Sequence, residues 1–311
     1  MDARQKRKGE YARMLLQRSP LSRNQVAAVS GLSNAYIREL EKGSIGNVGR
    51  EKLIAFAIAL NLSLLEIDRM LAVFDRAALT DEDIPIFVDA TRRSRISAAL
   101  HPIHDSFTFD LAVLCAERIP GEHVIVSPRP ASCLREEGHR IYAEKPLVEA
   151  HPLYADLVAA IIRERRRLLG ENLVQFALRQ YVCINCLEDY LLRCEDPVEK
   201  QWRIGHLANT IEMIRRHRNF HFSLTRECPS FIFVLRTPPP GAKATEKLII
   251  TALPPHRFKL RSAGSLAGFA TDNQAVILNF KEELAFIRTT VIEAYRDRHR
   301  LVGYLESLVN A

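Results

Sequence analysis

Cys183 and Cys186 form a C-x-x-C pair, Cys194 follows, and His217 and His221 stand four residues apart further along. Paired ligands at each end are what tetrahedral zinc asks of a chain, so Cys183, Cys186, His217 and His221 are the candidate metal ligands. Two other readings stay open for the cysteines. They could form a thiol redox pair, or they could be buried as small apolar side chains, which the segment YVCINCLEDYLL favours. His221 alternates with Phe220 and Phe222 and so is expected to point outward from a strand. No obligate cofactor is expected, with zinc the one candidate. Two basic clusters, Arg163, Arg165, Arg166 and Arg167, then Arg215, Arg216, His217 and Arg218, could hold phosphate or an anionic effector. The expectation for them is solvated helix faces balanced by nearby acids. Trp202, Tyr181 and Tyr190 either line a ligand pocket or fill core.

A denser pattern lies at residues 21–43, LSRNQVAAVSGLSNAYIRELEKG, which encodes two short helices joined by a tight turn. Ser22 followed by Gln25 fits a capping box that starts the first helix. Gly31 supplies the left-handed conformation that stops it, and Ser33 caps the next. Val26, Val29, Leu32, Ile37 and Leu40 fall on the inward face, and Ala27 is small where the two backbones approach. Asn34, Ala35, Arg38, Glu39 and Lys42 are left for solvent or a partner.

This segment resembles the helix-turn-helix of the Cro/C1-type (XRE) family, through Leu21, Ser22, Val26, Ala27, Gly31, Leu32, Ser33, Ile37, Leu40, Glu41 and Gly43. The run LIAFAIALNLSLLEI, with a second capping box at Ser63 and Glu66, resembles that family's fourth and fifth helices, and the likeness covers about residues 10–71. The resemblance implies that the helix from Asn34 to Lys42 enters the major groove of double-stranded operator DNA. Asn34 and Glu39 would read bases, Ala35 a thymine methyl, and Tyr36 and Arg38 would lie further round the helix. Arg23 stands where the family usually has a Gln that touches the DNA backbone, and it is an equally good phosphate donor. Lys42 and Asn47 would follow the opposite backbone. Arg4, Lys6, Arg7 and Lys8 are expected to form a basic N-terminal arm on the DNA or in its minor groove. Some repressors of this family cleave themselves at an Ala-Gly or Cys-Gly bond. Here the Ala-Gly dipeptides Ala263-Gly264 and Ala267-Gly268 come too near the C-terminus for a peptidase domain to follow.

The elements that must position these residues belong to a chain of 311 residues, 47% apolar and 26% charged. That composition excludes disorder, collagen and coiled-coil rods, and the length suits about two domains of roughly 100–200 residues. No apolar run approaches the roughly 18 residues of a membrane span, and MDARQKRKGE lacks the apolar core of a signal peptide. A cytoplasmic protein with reduced thiols and no membrane partner is therefore expected. Residues 1–78 hold 13 Lys/Arg against 8 Asp/Glu, most of the chain's net +7, which points to an anionic partner for that end.

Periodicity divides the chain into an all-helical domain of five short helices over 1–78, a linker or connecting helix over 79–100, and an α+β domain over 101–311. In the last, HVIV (123–126) is expected as strand, PRPASCLREEGHR as loop, and 152–169, 172–193 and 197–217 as helices. Phe220, Phe222 and Leu224, then SFIFVL, KLIITAL and QAVILNF, are expected to build a mainly antiparallel sheet. Pro238, Pro239, Pro240 and Gly241 mark a loop between SFIFVL and KLIITAL, and a long helix closes the chain from Lys281. No phosphate-binding glycine loop or nucleophile elbow is present, and no histidine pairs with a carboxylate in a recognisable motif, so an enzyme is not expected. The expectation is a DNA-binding transcriptional repressor, homodimeric, whose C-terminal domain dimerises and senses a small-molecule effector. Alternatives are an antitoxin or defence-system regulator whose large domain binds a protein, and a DNA-targeted enzyme.

Overall fold

The computed structural model describes residues 3–19, 21–93, 101–229, 231–252 and 265–310. Five helices come first: α1 (Ala3–Arg18), α2 (Arg23–Ser30), α3 (Asn34–Lys42), α4 (Arg50–Ala59) and α5 (Leu64–Val73). Their starts are set locally, because Ser22, Ser33 and Ser63 each accept a hydrogen bond from the backbone N–H three residues on. Val26, Ile37, Leu53, Ile54, Phe56 and Ile67 are fully buried between the helices.

After α6 (Ile84–Arg93) the chain becomes α+β, through β1 (His101–Asp105), α7 (Ser106–Glu117), β2 (Glu122–Ser127), α8 (Glu137–Ala143), α9 (Lys145–Ala150), α10 (Tyr154–Leu173), β3 (Leu178–Cys183), α11 (Ile184–Leu192) and α12 (Pro197–Arg216). It finishes with β4 (Phe220–Thr225), β5 (Phe231–Thr237), β6 (Lys247–Ala252), β7 (Ser265–Thr271), α13 (Gln274–Thr289) and α14 (Arg298–Val309). The seven strands form one sheet in the order β1-β7-β6-β5-β2-β3-β4. Its pairs are antiparallel except β2 with β3 and β3 with β4. One face packs against α7, α10, α11, α12 and α14 through residues such as Leu187, Leu207 and Leu305. The other receives Ile277, Leu284 and Ile287 of α13. Among the described residues no helix is long and apolar enough to cross a membrane.

Four expectations need correction. Residues 172–193 are not one helix: α10 ends at Leu173, and β3 and α11 follow. FALRQYVC satisfies helical spacing, but pairing with β2 on one side and β4 on the other makes it a central strand, and such strands lack the alternation that would identify them. QAVILNF is not a strand but the start of α13, capped by Asn273 Oδ1, which accepts from the Ala275 and Val276 N–H groups at 3.0 and 3.3 Å. The closing helix is broken at 290–297, where Ile292 N–H donates to the Leu224 carbonyl at 2.9 Å and Val291 bridges Thr225. The stretch expected as loop also contains the start of α8. Ala267-Gly268 lies inside β7, paired with β6 and β1, and Ala263-Gly264 lies outside the described residues, as does 94–100 of the connecting stretch.

The helix-turn-helix end and the sheet share packed surface. Phe87 of α6 is fully buried, its ring 5.9 Å from Phe107 of α7, and Phe107 lies 6.5 Å from Tyr154 of α10. His151 Nε2 bonds Asp68 Oδ2 at 3.0 Å, and Asn61 Nδ2 donates to the Pro102 carbonyl at 2.7 Å.

The basic clusters are mostly balanced, as expected. Arg163 pairs with Glu137, Arg167 with Glu164 and Glu171, Arg215 with Glu306 and Arg216 with Glu212. Arg165 departs from this: it is buried, bonding Asp110 at 2.9 Å and Glu117 at 2.9 and 3.0 Å. Tyr181 and Tyr190 are core, and Trp202 is half-buried. Tyr190 shares a 3.0 Å hydrogen bond with His206, Trp202 stacks on His139, and Tyr181 is buried on the α13 side of the sheet.

His123, His139 and His206 are all buried, and burial together with neighbouring guanidiniums holds their pKa values down. Arg236 and Arg165 face His123, Arg135 faces the other two, and His139 is lowered to about 3. Their contribution to stability is complete above the unfolded value of about 6.5 and is lost as pH falls toward the folded values. Stability is therefore expected to fall by about 1 kcal/mol per pH unit for each histidine below pH 6.5. Urea unfolding at pH 7.0 and 5.5 checks this, and equal midpoints would refute it.

Candidate nucleic-acid interface

The turn between α2 and α3 is built by chemistry that spans three or four residues. Ser22 Oγ accepts from Gln25 N–H, and Gln25 Oε1 accepts in return from Ser22 N–H at 2.7 Å. Gly31, at φ 70°, ends α2 in the left-handed region. Ser33 Oγ accepts from Tyr36 N–H at 3.1 Å and starts α3, which Gly43 ends at φ 69°. Ile37 and Leu40 are buried, so the opposite side of α3 faces outward.

On that outer side Asn34, Ala35 and Arg38 are exposed together, and Arg38 has no ion-pair partner among the described residues. Asn34 Nδ2 donates to Asn24 Oδ1 at 2.5 Å, which presets the amide plane at the start of the helix. Glu39 bonds the Lys42 ammonium at 2.9 Å, and the Lys42 and Ser44 side chains hold its carboxyl below the usual range. Arg23 Nε donates to Glu41 Oε2 at 2.6 Å, tying the start of α2 to the end of α3 while the side chain stays exposed. Tyr36 is half-buried, with the Lys52 ammonium 4.5 Å from its ring centre. Asn47 is exposed and accepts from Arg76. Sequence reasoning missed Asn24 and Lys52; Asn24 adjoins Arg23 inside the motif, whereas only the fold brings Lys52 to Tyr36.

The basic N-terminal arm requires correction. Arg4, Lys6, Arg7 and Lys8 belong to α1, and Lys8 is buried with its ammonium 2.6 Å from Asp75. Arg4 pairs with the same carboxylate, which the two cations lower to about 2, and Lys6 faces Glu10. Only Arg7 is exposed with no ion pair among the described residues. The segment is a helix that braces the end of α3: Gln5 Nε2 donates to the Gly46 carbonyl and Arg13 to the Glu41 carbonyl.

The proposed Cys2His2 ligand set also requires correction. Cys183 and Cys186 meet Cys228, with all three sulfurs within 4.8 Å of one another, and neither His217 nor His221 belongs to the group. His217 caps the end of α12, and His221 points outward from β4 as its alternation foretold. Cys228 is 42 residues from Cys186, so spacing gave no signal for it; their sulfurs are 3.1 Å apart. Donation from the Cys186 thiol and from backbone N–H groups at the start of α11 lowers the Cys183 thiol to about 6. The same contact and burial push Cys186 up.

No curated protein and no solved structure matches the chain. Residues 13–67 match the helix-turn-helix family model, a span that runs from within α1 to within α5. The capped helix pair, the buried inward face and this match identify residues 13–67 as a helix-turn-helix domain of the Cro/C1 type, the DNA-binding module of a regulator.

Proposed function

We propose that the chain is a transcriptional repressor that binds operator DNA as a homodimer and whose C-terminal α+β domain senses an effector. The observation that carries this reading is the outer face of α3, where Asn34, Ala35 and Arg38 stand exposed beside Arg23 and Lys42. An amide and a guanidinium on an exposed helix face match adenine and guanine edges, and the flanking cations match phosphates. One such helix reads one half-site, so useful affinity calls for two copies. Leu278 and Phe286, 59% and 57% exposed on α13, offer apolar surface for pairing with a second copy. Sensing is supported by the shared packing at Phe87, Phe107 and Tyr154, which gives the sheet domain a hold on the DNA-binding domain. The buried carboxylates Asp110 and Glu117 are committed to ion pairs, which favours a binding protein over an enzyme.

Asn34→Ala is expected to cost about 1–3 kcal/mol on the preferred site and to relax base preference there. Arg23→Ala should weaken all sequences alike and lower the salt slope by about one, with Glu41 left unpaired near the phosphates. Selection of bound fragments followed by anisotropy titrations measures both, and half-site centres are expected about 34 Å apart. Affinity indifferent to Asn34→Ala, Arg23→Ala and Arg38→Ala would exclude α3 as the contact surface.

A further inference from the structure

A cavity of about 100 Å³ opens beside the end of β2, between α7 and strands β5 and β6. Its walls differ in character. Phe109, Ile125, Ile232 and Val234 line one side, and Arg129, Arg135, Arg140 and Arg165 line the other. Arg140 pairs with Asp110 at 2.6 Å and Glu144 at 2.5 Å, and Arg165 pairs with Asp110 and Glu117. Three carboxylates therefore serve two guanidiniums, and no acid remains for the other two. Arg135 is only 5% exposed, and its side chain makes no ion pair or hydrogen bond among the described residues; its Nε lacks any partner. Arg129, at the rim, has no carboxylate partner among them either. Arg129 is exposed there, and the neighbouring Arg135 guanidinium lowers its pKa.

Burying an unpaired charge is strongly unfavourable, and interiors normally satisfy such groups. With the exposed Arg129 at the mouth counted, four guanidiniums face three carboxylates, a surplus of one that a monoanion neutralises and a phosphate dianion overshoots. The apolar wall requires that the anion carry a hydrocarbon body. We propose that this cavity binds a compact organic monocarboxylate, its carboxylate between Arg129 and Arg135 and its body against Phe109, Ile125, Ile232 and Val234. As the effector site, it rests on the sensing role proposed above. Glu144, which holds Arg140, also accepts the Tyr154 hydroxyl at 2.5 Å, and Tyr154 packs toward Phe107 and Phe87 beside the DNA-binding domain.

The test is thermal unfolding of the full chain with acetate, butyrate and benzoate, against benzyl alcohol and inorganic phosphate. At a hundred times Kd, butyrate or benzoate is expected to raise Tm by about 4 °C. Benzyl alcohol and phosphate should leave it unchanged. Arg135→Met should abolish the response without lowering the ligand-free Tm, because it removes an unpaired buried charge, whereas a structural arginine would lower it. Arg129→Gln, at the rim, should weaken binding at least about tenfold and serves if Arg135→Met does not fold. No shift with any carboxylate, an equal shift with phosphate, or an unaltered response in both variants would overturn the site. Operator affinity measured with and without benzoate separates the two claims. Binding without a change in affinity would overturn the effector role and leave the site standing.

Discussion

Gly43→Ala is expected to lower stability by about 2–4 kcal/mol and to abolish operator binding. Gly43 sits at φ 69°, where an alanine is strained, and an added Cβ would lie 2.2 Å from the Gln5 carbonyl oxygen of α1. The opposing Gly9 is equally tight, its notional Cβ 2.6 Å from Gly43 N. The two glycines let α1 run directly against the end of α3. There Gly43 N–H closes on the Leu40 carbonyl at 3.0 Å and Ser44 N–H on the Glu39 carbonyl at 3.0 Å. A methyl group must therefore push α1 away or unwind the last turn of α3, and either movement displaces Lys42 and Arg38. Gly46→Ala is the control, since only the Gln5 side chain lies within 4 Å, at 3.8 Å. Urea unfolding and anisotropy on both variants check this; equal midpoints for the two would refute it.

Asp110→Ala is expected to cost about 3–5 kcal/mol, the usual penalty for removing one partner from a buried ion pair. Asp110 is 1% exposed and receives both Arg140 at 2.6 Å and Arg165 at 2.9 Å. Without it three carboxylates become two, and two buried guanidiniums keep only Glu144 and Glu117. Replacing Asp110, Glu117, Glu144, Arg140 and Arg165 together by apolar residues of similar volume should recover much of that loss, because no member of the ion-pair cluster is then left without its partner. Denaturant midpoints of the single and quintuple variants measure the difference. A single variant within about 1 kcal/mol of the parent would show that the cluster is solvated.

The helix-turn-helix was legible because its information is local. Ser22 with Gln25, Gly31, Ser33, Gly43 and Ser63 with Glu66 each act within a few residues, and Ile37 and Leu40 turn inward by helical period alone. The strands at 122–127, 220–225, 231–237 and 247–252 were legible from β-rich composition and turn residues. The short FALRQYVC and QAVILNF runs suit helix and strand alike, and neighbours decided each: β2 and β4 flank the first, and the Asn273 cap and the far sheet face recruit the second.

What the sequence by itself determined, then, is where helices start and stop and which face of α3 remains outside. The tertiary structure decided where charge goes. It closed Arg4 and Lys8 onto Asp75, brought Cys228 to Cys183 and Cys186, and buried Arg165 with Asp110 and Glu117 while leaving Arg135 without an acid. Those outcomes depend on residues tens of positions apart meeting out of water, where pairing and desolvation are strong and no local spacing records them.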